Sequence, residues 1–330
     1  MSLSQHGRQR SWSRATKIGA TVLAAAIGVA TVALILGARP AEKATTSSGS
    51  GLSVKESGVP DVDYMIDLST AVMTPLPEAI IRSVAKPGAN RLPRYAASPD
   101  GSRLAFLGTG DEGSSQIFVA GIDGTGIRQM TQHPTRAWSP AWSPDGTTIA
   151  FEGYYGDGAR NLFVLDVATG WSTPIAAAGR VRPMAQPQFT PGGSSLLYAD
   201  FSSGHAALRT VPIDGGKSTV LIGPSEGMGH AGNGSLSPDG SLVTMMGNEI
   251  GGPGAGRFMA NVDGTELRSI PEGGSNPAGT WSPDGSRIVC SDYSGRNILV
   301  VDIATGEASR VAKGGAAIWL DGHTLLVEVS

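Results

Sequence analysis

Apolar and polar residues alternate in short runs over residues 61–330, and turn signals bound the runs. Ser-Pro-Asp-Gly stands at 98–101, 143–146, 237–240 and 282–285, with Thr-Pro-Gly-Gly at 190–193 and Trp-Leu-Asp-Gly at 319–322 as variants. Pro99, Pro144, Pro191, Pro238 and Pro283 follow one another at 45, 47, 47 and 45 residues. Pro presets φ for the second turn position, Asp tolerates the third, and Gly accepts the left-handed conformation that closes a hairpin. Three residues beyond each turn glycine stand Leu104, Ile149, Leu196, Val243, Ile288 and Leu325. Five beyond stand Phe106, Phe151, Tyr198, Met245, Cys290 and Val327. A period of two marks a strand with one buried face. Before the turns, Ala97, Trp142, Phe189, Leu236, Trp281 and Ile318 mark the preceding strand.

A second hairpin follows in each unit, as in LFVLDVATGWSTPI from Leu162 and ILVVDIATGEASRV from Ile298. Two hairpins make a four-stranded blade. The sixth unit has only its first hairpin, and the matching second one lies at the front, where YMIDLSTAVMTPLP from Tyr64 sets Asp67 against Asp302. The prediction is an all-β, six-bladed β-propeller over 61–330 whose N- and C-terminal hairpins share the closing blade and leave no long free edge.

Residues 1–60 have a different pattern. The basic segment 1–17 holds Arg8, Arg10, Arg14 and Lys17 without an acid, and 18–38 is an uncharged apolar run. As a helix that run spans roughly 31 Å, close to the hydrocarbon thickness of a bilayer. The preceding charges hold the N-terminus in the cytoplasm. Possible cleavage points place Leu36, Arg39 or Glu42 at the −3 position, where a small residue belongs, so an uncleaved signal anchor is expected. Residues 39–60 read as a flexible tether. The expected product is a single-pass cell-membrane protein with an extracytoplasmic propeller, secreted or periplasmic if the segment is removed.

Composition removes other classes. With 47 Gly and 21 Pro in 330 residues and only 16% charged residues, a helical bundle is excluded. Cys290 is the single cysteine, so there is no internal disulfide and no cysteine-rich metal site. The net charge of −3 conceals a basic N-terminal segment and an acidic body, which argues against a nucleic-acid partner.

SPDGSRLAF followed by QIFVAGIDGTGIRQMT, and AWSPDGTTIAFEG followed by NLFVLDVATG, resemble the Pro-Asp type of WD-repeat-like propellers known as the TolB-like family. That resemblance implies a six-bladed ring and a cell-envelope role.

The Ser-Pro-Asp-Gly and second-hairpin turns share one rim of such a ring, and longer, more varied loops share the other. On the loop-rich rim Tyr154, Tyr155, Asp157 and Arg160 fall in one loop, and Arg136, Arg180, Arg182, Glu226, His230, Glu249 and Arg296 surround the funnel. Aromatic rings beside Arg and acids suit a peptide or a sugar. Asp100, Asp145, Asp239 and Asp284 read as turn residues, and Cys290 as a packing thiol in its column. His133, His205 and His230 share the loop-rich rim, where some related propellers acting as polysaccharide lyases hold a metal. They lack local ligand spacing, so no metal or cofactor is expected. The sequence therefore predicts a non-catalytic scaffold for a protein or peptide of the cell envelope, with a small-molecule or glycan ligand as a further option. The alternatives are a metal-dependent polysaccharide lyase and an extracytoplasmic ligand sensor.

Overall fold

Each repeat folds into a four-stranded antiparallel sheet, and the sheets follow one another around a central channel in this computed structural model. It describes residues 61–84, 94–110, 113–132, 136–154, 160–175, 186–201, 205–223, 227–249, 255–270, 279–292 and 294–329.

Blade 2 shows how a repeat builds a sheet. Its strands β7 (Ala137–Trp142), β8 (Thr148–Tyr154), β9 (Arg160–Asp166) and β10 (Ser172–Pro174) pair in that order from the channel outward. In the first turn the Gly146 N–H donates to the Ser143 carbonyl at 2.9 Å, with Gly146 at φ +68°. The Ser143 hydroxyl donates to Asp145 Oδ1 at 2.6 Å and accepts the Thr148 N–H at 2.9 Å. The same pattern recurs at Asp100, Asp239 and Asp284, whose hydrogen bonds to serine hold their carboxyls down to about 2. These aspartates are structural turn residues.

The closing blade is shared as the repeat count predicts. Strands β23 (Ala316–Trp319) and β24 (Thr324–Glu328) continue into β1 (Tyr64–Asp67) and β2 (Val72–Pro75), with Tyr64 opposite Val327 and Ile66 opposite Leu325. One expected column shifts. Trp319, not Ile318, pairs with Leu325, as Trp142 pairs with Ile149 and Trp281 with Ile288. The reason is a turn shorter by one residue: Leu320 N–H donates to Thr324 O, where Ser98 N–H donates to Arg103 O. A short helix, α1 (Glu78–Ser83), which the alternation does not announce, buries Ile80 against Tyr95, Phe106 and Leu326.

The core is divided among the blade junctions. Among the described residues six apolar clusters each join two neighbouring blades, such as Ile149, Phe151 and Trp142 with Ala105, Ile117 and Met130 between blades 2 and 1. Cys290 lies in the cluster between blades 4 and 5, where burial pushes its thiol up. Three indoles tie inner strands together: Trp142 Nε1 donates to Ala96 O, Trp281 Nε1 to Ser235 O and Trp319 Nε1 to Thr280 O, each at 3.0 Å. Arg103 stacks 4.6 Å from the Trp142 ring and bonds Gly146 O, and Arg287 repeats this with Trp319 and Gly322 O.

The expected membrane segment at 18–38 and the tether at 39–60 lie outside the described residues. Among the described residues no helix is long and apolar enough to cross a membrane.

Candidate functional site

Three of the chain's passages from the loop-rich rim to the channel carry a local irregularity, in the inner strand or just before it. Ser139, Gln186 and Asn233 stand three residues before Trp142, Phe189 and Leu236, and all have positive φ, at +52°, +44° and +48°. In β7 the register slips between Trp138 and Ala141, as a β-bulge requires. The bulge turns the Ser139 hydroxyl onto Glu152 Oε1 at 3.1 Å.

Glu152 organises this side of the ring. Its side chain is fully buried, and Oε1 also accepts the Gln186 N–H of blade 3 at 3.0 Å. Oε2 binds Arg160 Nη1 at 3.1 Å. The guanidinium then lies 4.1 Å from the Trp138 ring centroid and 5.5 Å from that of Tyr154, and the two rings meet edge to face. A buried carboxylate thus holds a cation against two aromatic rings, an arrangement that cation–π attraction strengthens. This ledge of Trp138, Tyr154 and Arg160 is half-buried, so its geometry is set before any ligand arrives.

The closing junction repeats the device in a denser form. Glu328 occupies in blade 6 the strand position that Glu152 occupies in blade 2, and its Oε1 accepts the Arg94 N–H of blade 1 at 2.7 Å. Arg94 also binds Glu328 Oε2 through Nε at 2.9 Å and Asp63 through Nη2 at 2.7 and 2.9 Å. Tyr95 donates to Asp63 Oδ2 at 2.6 Å, and the Val329 N–H donates to Oδ1. Burial pushes the Glu328 carboxyl up to about 7 against the pull of Arg94. Burial and the adjacent Asp63 raise the Tyr95 phenol.

The structure brings some expected site residues together. Tyr154 and Arg160 meet in the ledge. Arg136 and Arg296 are exposed on the same rim. His230 packs 5.6 Å from the Phe201 ring, and desolvation followed by the nearby His205 lowers its pKa. His205 Nδ1 lies 3.2 Å from Gly229 O. Tyr155, Asp157, Arg180, Arg182, Glu226, His133 and the Glu249 side chain lie outside the described residues. Among the described residues no group of three His, Cys, Asp or Glu side chains is placed to hold a metal ion.

Trp138 and Glu152 were not legible as site residues. The signal available was a Glu in a strand column otherwise filled by Leu107, Ala199, Met246 and Ser291, repeated only at Glu328.

A cavity of about 430 Å³ occupies the channel. Its walls combine Trp142, Phe189, Trp281 and Trp319 with prolines of the first turns, and no charged residue lines it among the described residues.

Comparison with known proteins matches the ring. A family model described as TolB beta propeller domain matches residues 64–246. The chain is similar to TolB from Acinetobacter baumannii, with a TM-score of 0.57 at 14% identity over 82% of this chain and 66% of that one. It is also similar to an oligogalacturonate lyase in complex with manganese, with a TM-score of 0.52 at 20% identity over 82% of this chain and 78% of the lyase. A chain of a nidogen/laminin complex gives a TM-score of 0.50 at 13% identity, over 65% of this chain and 76% of that one. At these identities the likeness is one of fold, and the chain spans just under two thirds of the Acinetobacter TolB. No curated protein matches the sequence.

Proposed function

Because the chain belongs to the TolB β-propeller family, we propose that it is a non-catalytic, membrane-anchored scaffold of the cell envelope that holds a protein or peptide on its loop-rich rim. The observation that carries this reading is the ledge of Trp138, Tyr154 and Arg160 fixed from below by Glu152. Trp, Tyr and Arg dominate binding energy at protein interfaces, and here their side-chain freedom is already spent in the free protein. Exposed Arg136 and Arg296 add positive charge to the rim, which favours an acidic partner segment. Tyr155, Asp157, Arg180, Arg182, His230 and Glu249 belong to the same proposed surface. Residues 18–38 supply the anchor, and the N-terminus stays in the cytoplasm.

The test is capture of an envelope protein by the detergent-solubilised full-length chain, followed by affinity measurement with the purified partner. Tyr154→Ala and Arg160→Ala are expected to weaken binding by roughly tenfold or more each. Unchanged affinity in both variants, with both still folded, would overturn the choice of rim. External protease digesting the propeller in intact cells would support the topology, and full protection within sealed cells would refute it.

A further inference from the structure

The central channel is chemically unlike the rim, and we propose that it is a second binding site, for a neutral mono- or disaccharide. The cavity of about 430 Å³ falls within the roughly 300–1,000 Å³ of small-ligand clefts. Its described wall carries no charge, so an ionic ligand would leave water without a counter-charge to meet it. The ring around it is two-sided. In the position preceding the Trp142 column, blades 3, 4 and 5 place Gln188, Ser235 and Thr280. Blades 6, 1 and 2 place Ile318, Ala96 and Ala141.

Uncommitted hydrogen-bonding capacity lies on the first side. The Gln188 amide and the Ser235 and Thr280 hydroxyls make no hydrogen bond to the described residues. By contrast, the hydroxyls of Ser139 and Ser237 are taken by Glu152 and Asp239, and the Trp142, Trp281 and Trp319 indoles by backbone carbonyls. On the same side Gln186, whose Oε1 makes no hydrogen bond to the described residues, also lines the cavity. A pyranose ring presents hydroxyl donors at its edges and C–H groups on its faces, which suits one polar wall and one wall of aromatic, alanine and isoleucine side chains. An extended peptide carries N–H and C=O groups along both edges and would strand half of them against Ala96, Ala141 and Ile318.

The experiment titrates the full-length protein, in a detergent without a sugar headgroup, with glucose, maltose and N,N′-diacetylchitobiose. Digalacturonate serves as the charged counterpart and N-acetyl-trialanine amide as the neutral peptide. Calorimetry and tryptophan emission report binding, since three indoles line the cavity. Saturable binding of a neutral sugar is expected, weakened roughly tenfold by Gln188→Ala, the loss of one hydrogen bond. Thr280→Ala should weaken it similarly, and the melting temperature of each variant separates lost contacts from lost folding. The proposal is overturned by no response to any neutral sugar up to about 10 mM, weaker than millimolar recognition. Binding of digalacturonate or the peptide alone also overturns it, as does full affinity in both variants.

Discussion

The junctions between blades 6 and 1 and between blades 2 and 3 use one invention for two purposes. In each, a buried glutamate near the end of the second strand accepts an N–H from just before the next blade's inner strand, from Arg94 to Glu328 and from Gln186 to Glu152. At the closing junction the cation comes from the following blade and is shared by two acids, so Asp63 near the start of the ring, Glu328 near its end and Arg94 are locked together. At the other junction the cation comes from the glutamate's own blade and faces two aromatic rings instead of a second acid. The first arrangement spends both carboxylates and most of the guanidinium in joining the ends of the ring. The second leaves a shaped surface. A repeat protein can thus reuse one side-chain position as a lock in one blade and as a platform in another, depending on where the partner arginine is rooted.

Removing the shared cation tests the lock most severely. Arg94→Ala leaves Asp63 and Glu328 buried together, and breaking a buried pair in this way costs about 3–5 kcal/mol. Chemical denaturation should show that loss, and a loss below about 1 kcal/mol would mean the closing blade does not depend on the network.

The pH response comes next. With a folded pKa of about 7 against 4.5 in the unfolded chain, Glu328 retains in the fold a proton that the unfolded chain releases. Its contribution is complete below about pH 4.5 and disappears as pH rises through about 7, a change on the order of 3 kcal/mol. Melting temperature should therefore fall across that window, and Glu328→Gln should flatten the decline. An equal slope in the variant would assign the titration elsewhere. The turn aspartates act oppositely: Asp100, Asp239 and Asp284, held near 2, support the fold above about 3.8 and lose that support as pH falls towards 2.

Glu152→Ala should have the smallest effect on stability, about 2 kcal/mol, because Arg160 can swing to solvent once its partner is gone. Its effect on the platform should exceed its effect on the fold. Partner affinity measured for the folded variant should drop as far as it does for Arg160→Ala. A variant that binds normally would show that the ledge does not need its buried carboxylate.

The ring was legible because its turn chemistry is written into the chain. Only Gly suits the φ near +70° that closes each Pro-containing turn, so Gly101, Gly146, Gly193, Gly240 and Gly285 advertise the repeat. Where that chemistry weakens, legibility fails. The Trp319 turn has neither Ser nor Pro and is shorter, which moved the tryptophan column by one residue. The positive-φ positions Ser139, Gln186 and Asn233, the first and last of them at bulges, are not glycines and leave no trace in the pattern. Tyr154 and Arg160 were found because they flank one loop, but Trp138 and Glu152 belong to strands, where an aromatic or an acid has no sequence label separating packing from function.

The blade junctions are not bridged alike. Indoles bridge blades 1 and 2, 4 and 5, and 5 and 6, while glutamates bridge 6 and 1, and 2 and 3. Blades 3 and 4 have neither device among the described residues. They meet through the Ala231 N–H on Ala206 O, the exposed His205 and an apolar cluster including Leu208, Met228 and Val243. Main-chain pairing and apolar shape, rather than a buried indole or glutamate, keep that seam shut. Opening the ring there would part main-chain bonds and apolar contacts without breaking a buried indole or carboxylate bridge, so local opening at this seam would leave the other blades' side-chain bridges intact.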